Sequence, residues 1–295
     1  MTAPFGRVLT AMVTPFTADG ALDLAGAQAL ASHLVDHGCD GLVVSGTTGE
    51  SPTTSDDEKD ALLRAVLEAV GDHAAVVAGV GTYDTARTVE AAQHAEKAGA
   101  AGVLVVTPYY NKPPQAGLVQ HFSAVADATG LPAMLYDIPG RTGTAIATET
   151  LIRLAEHPRI VAVKDAKGDL FGSAQVMAAT DLAYYSGEDA LNLPLLALGA
   201  VGMVSVVAHG FAGRYREMVE AVDADDLTAA RRINGELVPA VRGIMTRMQG
   251  AIAAKATAQL LGVIKQRTVR LPLVEASDED VAVLRADLDA AGLAL

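Results

Sequence analysis

The sequence predicts a (β/α)8 barrel followed by a C-terminal helical extension, on three observations. Eight short runs rich in Val, Ile and Ala recur between Arg7 and Val206. Each ends in a polar or glycine-bearing loop and leads into a stretch with helical spacing. Beyond about Val222 the strand-like runs stop and only helical patterns remain. Apolar runs without alternation read as parallel strands buried on both faces. Eight βα units in succession close into a barrel, whereas a doubly wound open sheet usually needs fewer strands and a glycine-rich dinucleotide turn after the first.

In order, the strand runs are RVLTAMV from Arg7, GLVVSG from Gly41, AVVAGV from Ala75, GVLVVT from Gly102, PAMLY from Pro132, IVAVK from Ile160, AYYSG from Ala183 and GMVSV from Gly202. Helices between them carry recognisable starts: Ser55 before Asp56, Asp57 and Glu58; Thr85 before Ala86; Thr148 before Glu149. Leu191 to Ala208 holds no charged residue, but Pro194, Gly199 and Gly202 interrupt it, so it divides into a buried helix and a buried strand rather than a membrane span. The tail contributes DLTAARRINGELVPAVRGIM, AAKATAQLLGVI and DEDVAVLRADLDAAGL. The expected organisation is a barrel with the active site over residues 1–222 and a helical domain over residues 223–295. The helical domain reads as a cover for the barrel or a subunit contact, with no catalytic feature.

The 295 residues carry 22 basic against 35 acidic side chains, a formal charge of -13. Such a field repels nucleic acid and anionic membranes and leaves small molecules or proteins as partners. Anionic substrates then need a local cation. Cys39, the only cysteine, excludes an intrachain disulfide and fits a reducing compartment as a small buried hydrophobe. The start MTAPFGRVLTAMVTPF lacks the features of a secretory signal. A cytoplasmic protein is expected.

Active sites of this fold gather at the C-terminal strand ends. There stand Ser45-Gly46-Thr47-Thr48-Gly49-Glu50, Thr107-Pro108-Tyr109-Tyr110-Asn111, Tyr136-Asp137 and Lys164-Asp165. Lys164, behind the apolar run Ile160 to Val163, is placed where desolvation lowers an amine's pKa and frees a nucleophile for a ketone. A surface lysine paired with Asp165 is the plain alternative, and Lys167 lies further into the loop. Tyr136 ends the adjacent strand, so its phenol can give and accept protons, with Thr48 and Tyr110 extending the chain of hydroxyls; the alternative is a ring that only packs. GTTGE offers backbone N–H groups for an anion. It lacks the lysine of a nucleotide-hydrolase loop. Arg141 is a fixed cation able to clamp a carboxylate, or a surface arginine paired with an acid.

The succession GTTGES, TPYYNKP, LYDIPGRT, VKDAKGD, SGED and GMVSV, each at the end of a successive strand, resembles the 4-hydroxy-tetrahydrodipicolinate synthases of the N-acetylneuraminate lyase superfamily over essentially the whole chain. The resemblance implies a class I aldolase-type lyase in diaminopimelate and lysine biosynthesis. Pyruvate would form a Schiff base with Lys164, Tyr136 would donate and accept the proton, and the enamine would attack L-aspartate 4-semialdehyde, with ring closure following. It implies a relay of Thr48, Tyr110 and Tyr136 in which Tyr110 comes from a neighbouring subunit, hence a homotetramer built as a pair of dimers. Thr47 and Thr48 match the pyruvate-carboxylate site, and Gly187 and Val204 match pocket-lining backbone. No cofactor and no metal is implied.

Arg141 separates the synthases from 2-keto-3-deoxy sugar-acid and N-acetylneuraminate-type aldolases, which usually lack it; those aldolases remain the alternative. A barrel that only binds a keto acid, as a sensor or scaffold, is the alternative from another class, against which stand the intact Lys164, Tyr136, Thr48 and Tyr110. Asp137, Gly140 and Asp165 depart from the commoner Asn, Ser and Glu without removing a catalytic group. At the positions matching the family's lysine-feedback site, Ser51 and Tyr109 agree with inhibited members, but Asp56, Lys59, Tyr83 and Arg87 do not. Lys59 and Arg87 place positive charge where an ammonium would sit, so insensitivity to lysine is expected.

Overall fold

The structure, a computed structural model, describes residues 2–295. The eight expected runs form β1 (Val8–Ala11), β2 (Gly41–Val44), β3 (Ala75–Gly79), β4 (Gly102–Val106), β5 (Ala133–Asp137), β6 (Ile160–Asp165), β7 (Ala183–Ser186) and β8 (Gly202–Ser205). They close into one barrel in chain order, each parallel to its neighbours. Their side chains are buried nearly throughout, because one face fills the barrel and the other meets the helices.

Helices α1 (Leu24–Asp36), α2 (Asp56–Val70), α3 (Thr85–Ala98), α4 (Gln115–Asp127), α5 (Pro139–Thr142), α6 (Thr148–Leu154), α7 (Leu170–Ala179), α8 (Asn192–Leu198) and α9 (Ala208–Asp223) alternate with the strands, α5 and α6 both following β5. The expected start of α2 is a full capping box: the Ser55 hydroxyl accepts from the Glu58 N–H at 3.2 Å, and the Glu58 carboxylate accepts from the Ser55 N–H at 2.9 Å. The other two starts differ by one residue. Asp84, not Thr85, caps α3 by accepting from the Ala86 N–H, and the Thr85 hydroxyl instead meets His121 Nδ1 at 2.9 Å. Thr148 is already helical in α6, and the N-cap Ala147 is held from outside, its N–H donating to the Gln115 side chain at 2.9 Å.

The uncharged stretch from Leu191 divides into α8 and β8. Gly199 between them adopts φ +111°, a left-handed turn that a side chain would strain. Among the described residues no helix is long and apolar enough to cross a membrane. Cys39 is buried, its Sγ 2.9 Å from the Thr10 hydroxyl, and burial pushes its thiol up to about 12, which leaves it unreactive.

The tail forms α10 (Leu227–Met245), α11 (Gly250–Leu260) and α12 (Asp278–Ala290). The expected division near residue 222 falls at the end of α9, and α10 packs between α9 and α12. The tail is not only a cover. Lys255 of α11 is fully buried and reaches the loop after β2.

One irregularity in the barrel bears on chemistry. Between β5 and β6 the register runs Ala133↔Ile160 and then Met134↔Ala162, so Val161 is an extra residue on β6. The slip brings Tyr136 level with Lys164 and Asp137 level with Asp165. Partners in register share a face of the sheet, so the phenol and the amine project together and the two carboxylates project together on the other side.

Candidate active site

Lys164 is the penultimate residue of β6, 4% exposed, with its Nζ 4.2 Å from the centroid of the Tyr136 ring. Burial lowers the amine to about 8, against the raising effect of Asp189 and Glu188, while Arg141 lowers it further. About a tenth of the lysine is then neutral at pH 7, where an exposed lysine has almost none. Lys164 does not pair with Asp165. The Asp165 carboxylate is engaged on the other face, accepting from the Ser173 hydroxyl at 2.5 Å and the Lys167 N–H at 2.9 Å. Lys167, the rival nucleophile, lies 3.7 Å from the buried Asp137 carboxylate and so spends its charge on loop structure. Burial, the largest effect on Asp137, holds that carboxyl up at about 6, with Asp165 also raising it and the Ile146 N–H and Lys167 lowering it.

The Gly187 backbone lies against the lysine stem: a Cβ there would fall 2.8 Å from Lys164 Cγ and 3.0 Å from Cε. Only a glycine lets the amine extend across the mouth. Val204 is buried within β8, 1% exposed.

Tyr136 is 5% exposed and its phenol is raised well above its ordinary value by burial, with Arg141 opposing. It is therefore a protonated hydroxyl, able to donate and then accept. Its backbone is fixed by Thr107, whose N–H and hydroxyl both donate to the Tyr136 carbonyl at 3.0 Å. Tyr136, Arg141, Thr47 and Tyr110 line one cavity of about 350 Å³ with Ile138 and Val106. Lys164, Thr48, Gly187 and Val204 stand outside its lining, with the Lys164 amine over the ring of Tyr136, which does line it. Thr48 is 9% exposed. Tyr110 is 90% exposed at the rim, in a left-handed backbone with φ +73°. Among the described residues no hydrogen bond joins Tyr136, Thr48 and Tyr110 within the chain. Arg141 is exposed, at the end of the short α5, with no carboxylate in ion-pair distance among the described residues.

The loop after β2 holds two non-glycine residues in left-handed backbone, Ser45 and Glu50, both at φ +55°. Each such residue costs about 1–3 kcal/mol and persists only when its surroundings over-determine it. Gly79 makes room for the loop, since a Cβ there would lie 2.5 Å from the Ser45 carbonyl. The surroundings come from the tail. The Glu50 carboxylate is buried and accepts from Lys255 Nζ at 2.5 Å and from the Arg270 N–H at 2.8 Å. Lys255 also donates to the Thr268 carbonyl at 2.6 Å and lies 4.0 Å above the Phe16 ring. The Arg270 guanidinium bridges Glu58, the Thr53 carbonyl and the Gly20 carbonyl.

Sequence reasoning passed over Lys255 and Arg270, used Glu50 only to exclude a nucleotide-hydrolase loop, and gave Asp189 of SGED no role of its own. That buried carboxylate accepts from the Val206 N–H at 2.9 Å, the Val207 N–H at 3.2 Å, the Asn192 amide at 3.2 Å and the Ser205 hydroxyl, and so ties the ends of β7 and β8 together behind Lys164. The readable signal for Lys255 was a charge inside the otherwise apolar AAKATA of α11, where a long cation has no reason to sit unless a buried acid faces it.

A second cavity, about 590 Å³, lies beside the first and shares Tyr109 with it. It is lined by Ser51 and Tyr109, which agree with lysine-inhibited members, and by Asp56, Lys59, Tyr83 and Arg87, which do not. Lys59 Nζ lies 3.4 Å from the Asp56 carboxylate, and Tyr83 stacks edge-on against Tyr109 with ring centroids 5.3 Å apart.

The model of the dihydrodipicolinate synthetase family matches residues 4–291. A protein of Kineococcus radiotolerans named 4-hydroxy-tetrahydrodipicolinate synthase is 68% identical over 291 residues, 99% of this chain and 94% of that protein. Among solved structures, dihydrodipicolinate synthase from Cyanidioschyzon merolae with lysine bound superposes with a TM-score of 0.96 at 44% identity, over 99% of this chain and 100% of the other. The chloride-inhibited enzyme of Acinetobacter baumannii complexed with pyruvate gives 0.94 at 33% identity, over 99% and 100%.

Proposed function

Because the chain belongs to the dihydrodipicolinate synthetase family, we propose that its barrel mouth carries a Schiff-base condensation on Lys164. The protein is a class I aldolase-type lyase of diaminopimelate and lysine biosynthesis that joins pyruvate to L-aspartate 4-semialdehyde. The observation that carries the assignment of the site is the buried Lys164 amine level with the Tyr136 phenol, its Nζ 4.2 Å from the ring.

The chemistry follows from the placement. The neutral amine adds to C2 of pyruvate, and Tyr136 donates the proton that lets the carbinolamine oxygen leave as water. The imine acidifies C3, and the Tyr136 phenolate left by that donation takes the C3 proton, restoring the phenol and giving an enamine. Its C3 attacks the aldehyde carbon, and Tyr136 returns a proton to the new alkoxide. The amine of the semialdehyde then displaces Lys164 from C2, closing the ring and freeing the lysine, with one water released overall. Thr47 and Thr48 hold the pyruvate carboxylate, with Gly187 and Val204 lining its pocket. Arg141, exposed at the rim, takes the carboxylate of the semialdehyde. That cation is what a sugar-acid substrate would not need.

Thr48 and Tyr110 complete the proton path to solvent. Tyr110, 90% exposed at the rim, is the group that a partner chain would receive, so the working form is a homotetramer in which each dimer exchanges Tyr110. The enzyme works in the cytoplasm, on small molecules alone, with residues 1–222 carrying the chemistry and 223–295 forming the helical domain.

The test is borohydride reduction in the presence of pyruvate, followed by intact mass and peptide mapping, with aspartate semialdehyde and N-acetylneuraminate as alternative partners in turnover. The expected result is a reduced adduct on Lys164 and turnover of the semialdehyde alone. Turnover of the sugar acid would reassign the substrate, and absence of an adduct would remove the mechanism.

A further inference from the structure

We infer that the C-terminal extension is a working part of the keto-acid site, with Lys255 acting through Glu50 as the positioning residue for the Thr47–Thr48 loop. The inference rests on the reading of that loop as the pyruvate-carboxylate site. Both Glu50 carboxylate oxygens are held from the tail, one by Lys255 Nζ and one by the Arg270 N–H, across more than 200 residues of sequence. No group from the barrel itself competes for them among the described residues.

The loop is built so that this grip matters. It leaves β2 through Ser45 and ends at Glu50, both left-handed; within it the Glu50 N–H donates to the Thr47 carbonyl at 3.1 Å and the Ser51 N–H to the Gly46 carbonyl at 3.2 Å. Its backbone is met from outside by the Thr14 hydroxyl at the Gly49 carbonyl (2.6 Å) and by the Thr53 N–H and hydroxyl at the Glu50 carbonyl (3.0 and 3.1 Å), so that among the described residues the Glu50 carboxylate is the one side chain of the loop anchored to the tail. A short loop strained at both ends relaxes when one end is released. Release at Glu50 turns the Thr47 and Thr48 hydroxyls and N–H groups away from the carboxylate they would bind. The Lys255 ammonium is itself fixed by the Thr268 carbonyl and the Phe16 ring, so the contact is rigid on the tail side. A buried pair of this kind contributes little net stability against a neutral replacement, which suits a role in setting geometry.

Two variants separate geometry from folding. Lys255→Met strands a buried carboxylate and destabilises the fold; Lys255→Met combined with Glu50→Gln removes both charges and is expected to fold. For each, the pyruvate concentration giving half-maximal borohydride trapping on Lys164 is measured, with KM for the semialdehyde and the melting temperature. The inference expects the double variant to melt near the wild type while half-saturation by pyruvate rises ten-fold or more and semialdehyde KM moves less than two-fold. A double variant that recovers stability and binds pyruvate like the wild type overturns it, leaving the pair as charge compensation alone. Equal rises for both substrates overturn it too, since loss of a specific loop would not reach the Arg141 side. Failure of wild-type trapping is a different result, and it removes the Lys164 mechanism rather than this coupling.

Discussion

Replacing Lys164 by Met abolishes turnover and stabilises the protein. The amine is held at about 8 where an exposed lysine titrates at 10.5, chiefly because burial disfavours its charge. Below pH 8 the wild type must keep that unfavourable ammonium inside the barrel, and the difference of about 2.5 pH units corresponds to roughly 3 kcal/mol. Met is close in length, apolar and adaptable, and it keeps the contact with the Tyr136 ring. For a chain of this size the gain raises the melting temperature by about 5–10 °C. The pH dependence fixes the cause. Between about 8 and 10.5 the unfolded state binds more protons than the native state, so wild-type stability rises with pH while the variant lacks this contribution. The gap is full below about 8 and closes as pH approaches 10.5. Calorimetry of both proteins at pH 7 and at pH 10 tests this, with the Lys255 contribution cancelling because both share it. A variant that melts no higher than the wild type at pH 7 refutes the reasoning, as does a gap that persists undiminished at the alkaline end.

Tyr136→Phe keeps the ring packing but removes the phenol, so kcat falls by about 10²–10⁴ with an unchanged fold, measured by steady-state kinetics and circular dichroism. Arg141→Ala lowers kcat/KM for the semialdehyde by about 10–100-fold, the value of one charge-assisted contact, and leaves pyruvate trapping intact. Asp189→Asn removes a negative charge that raises the Lys164 amine, so the acid limb in kcat/KM for pyruvate, the rise expected near 8 as the amine becomes neutral, moves to lower pH; a limb that stays or moves up contradicts this electrostatic account. L-lysine at millimolar concentration leaves the rate unchanged, because Lys59 and Arg87 line the cavity where its ammonium would bind, and halved activity would reject that view.

The barrel was legible because its determinants are local. Each strand is a short apolar run and each helix start is a side chain within three residues of the N–H it caps, and even the one-residue errors at α3 and α6 reflect groups that compete at close range, Asp84 against Thr85 and Gln115 against Thr148. Lys164 and Tyr136 were legible for a related reason: a strand end of this fold faces the mouth whatever the rest of the chain does. Their level placement was less so. It depends on the extra Val161 in β6, and nothing in IVAVKD marks a slip in register.

What escaped the sequence is the set of charges that meet across the fold. Lys255 and Glu50 are 205 positions apart, and Arg270 and Glu58 are 212 apart. Each residue taken singly reads as an ordinary surface charge, and only burial of both makes either informative. A lysine in the apolar AAKATA segment has two physical outcomes, an exposed face or a buried partner. The second requires an acid with no nearer cation, and GTTGE supplies one at the end of a loop whose backbone is already strained. Glu50 excluded the nucleotide-binding reading of that loop because it stands where a lysine was required. The same carboxylate, turned inward to the tail, is what lets two threonines hold a defined position beside an amine that must meet its ketone at a fixed distance.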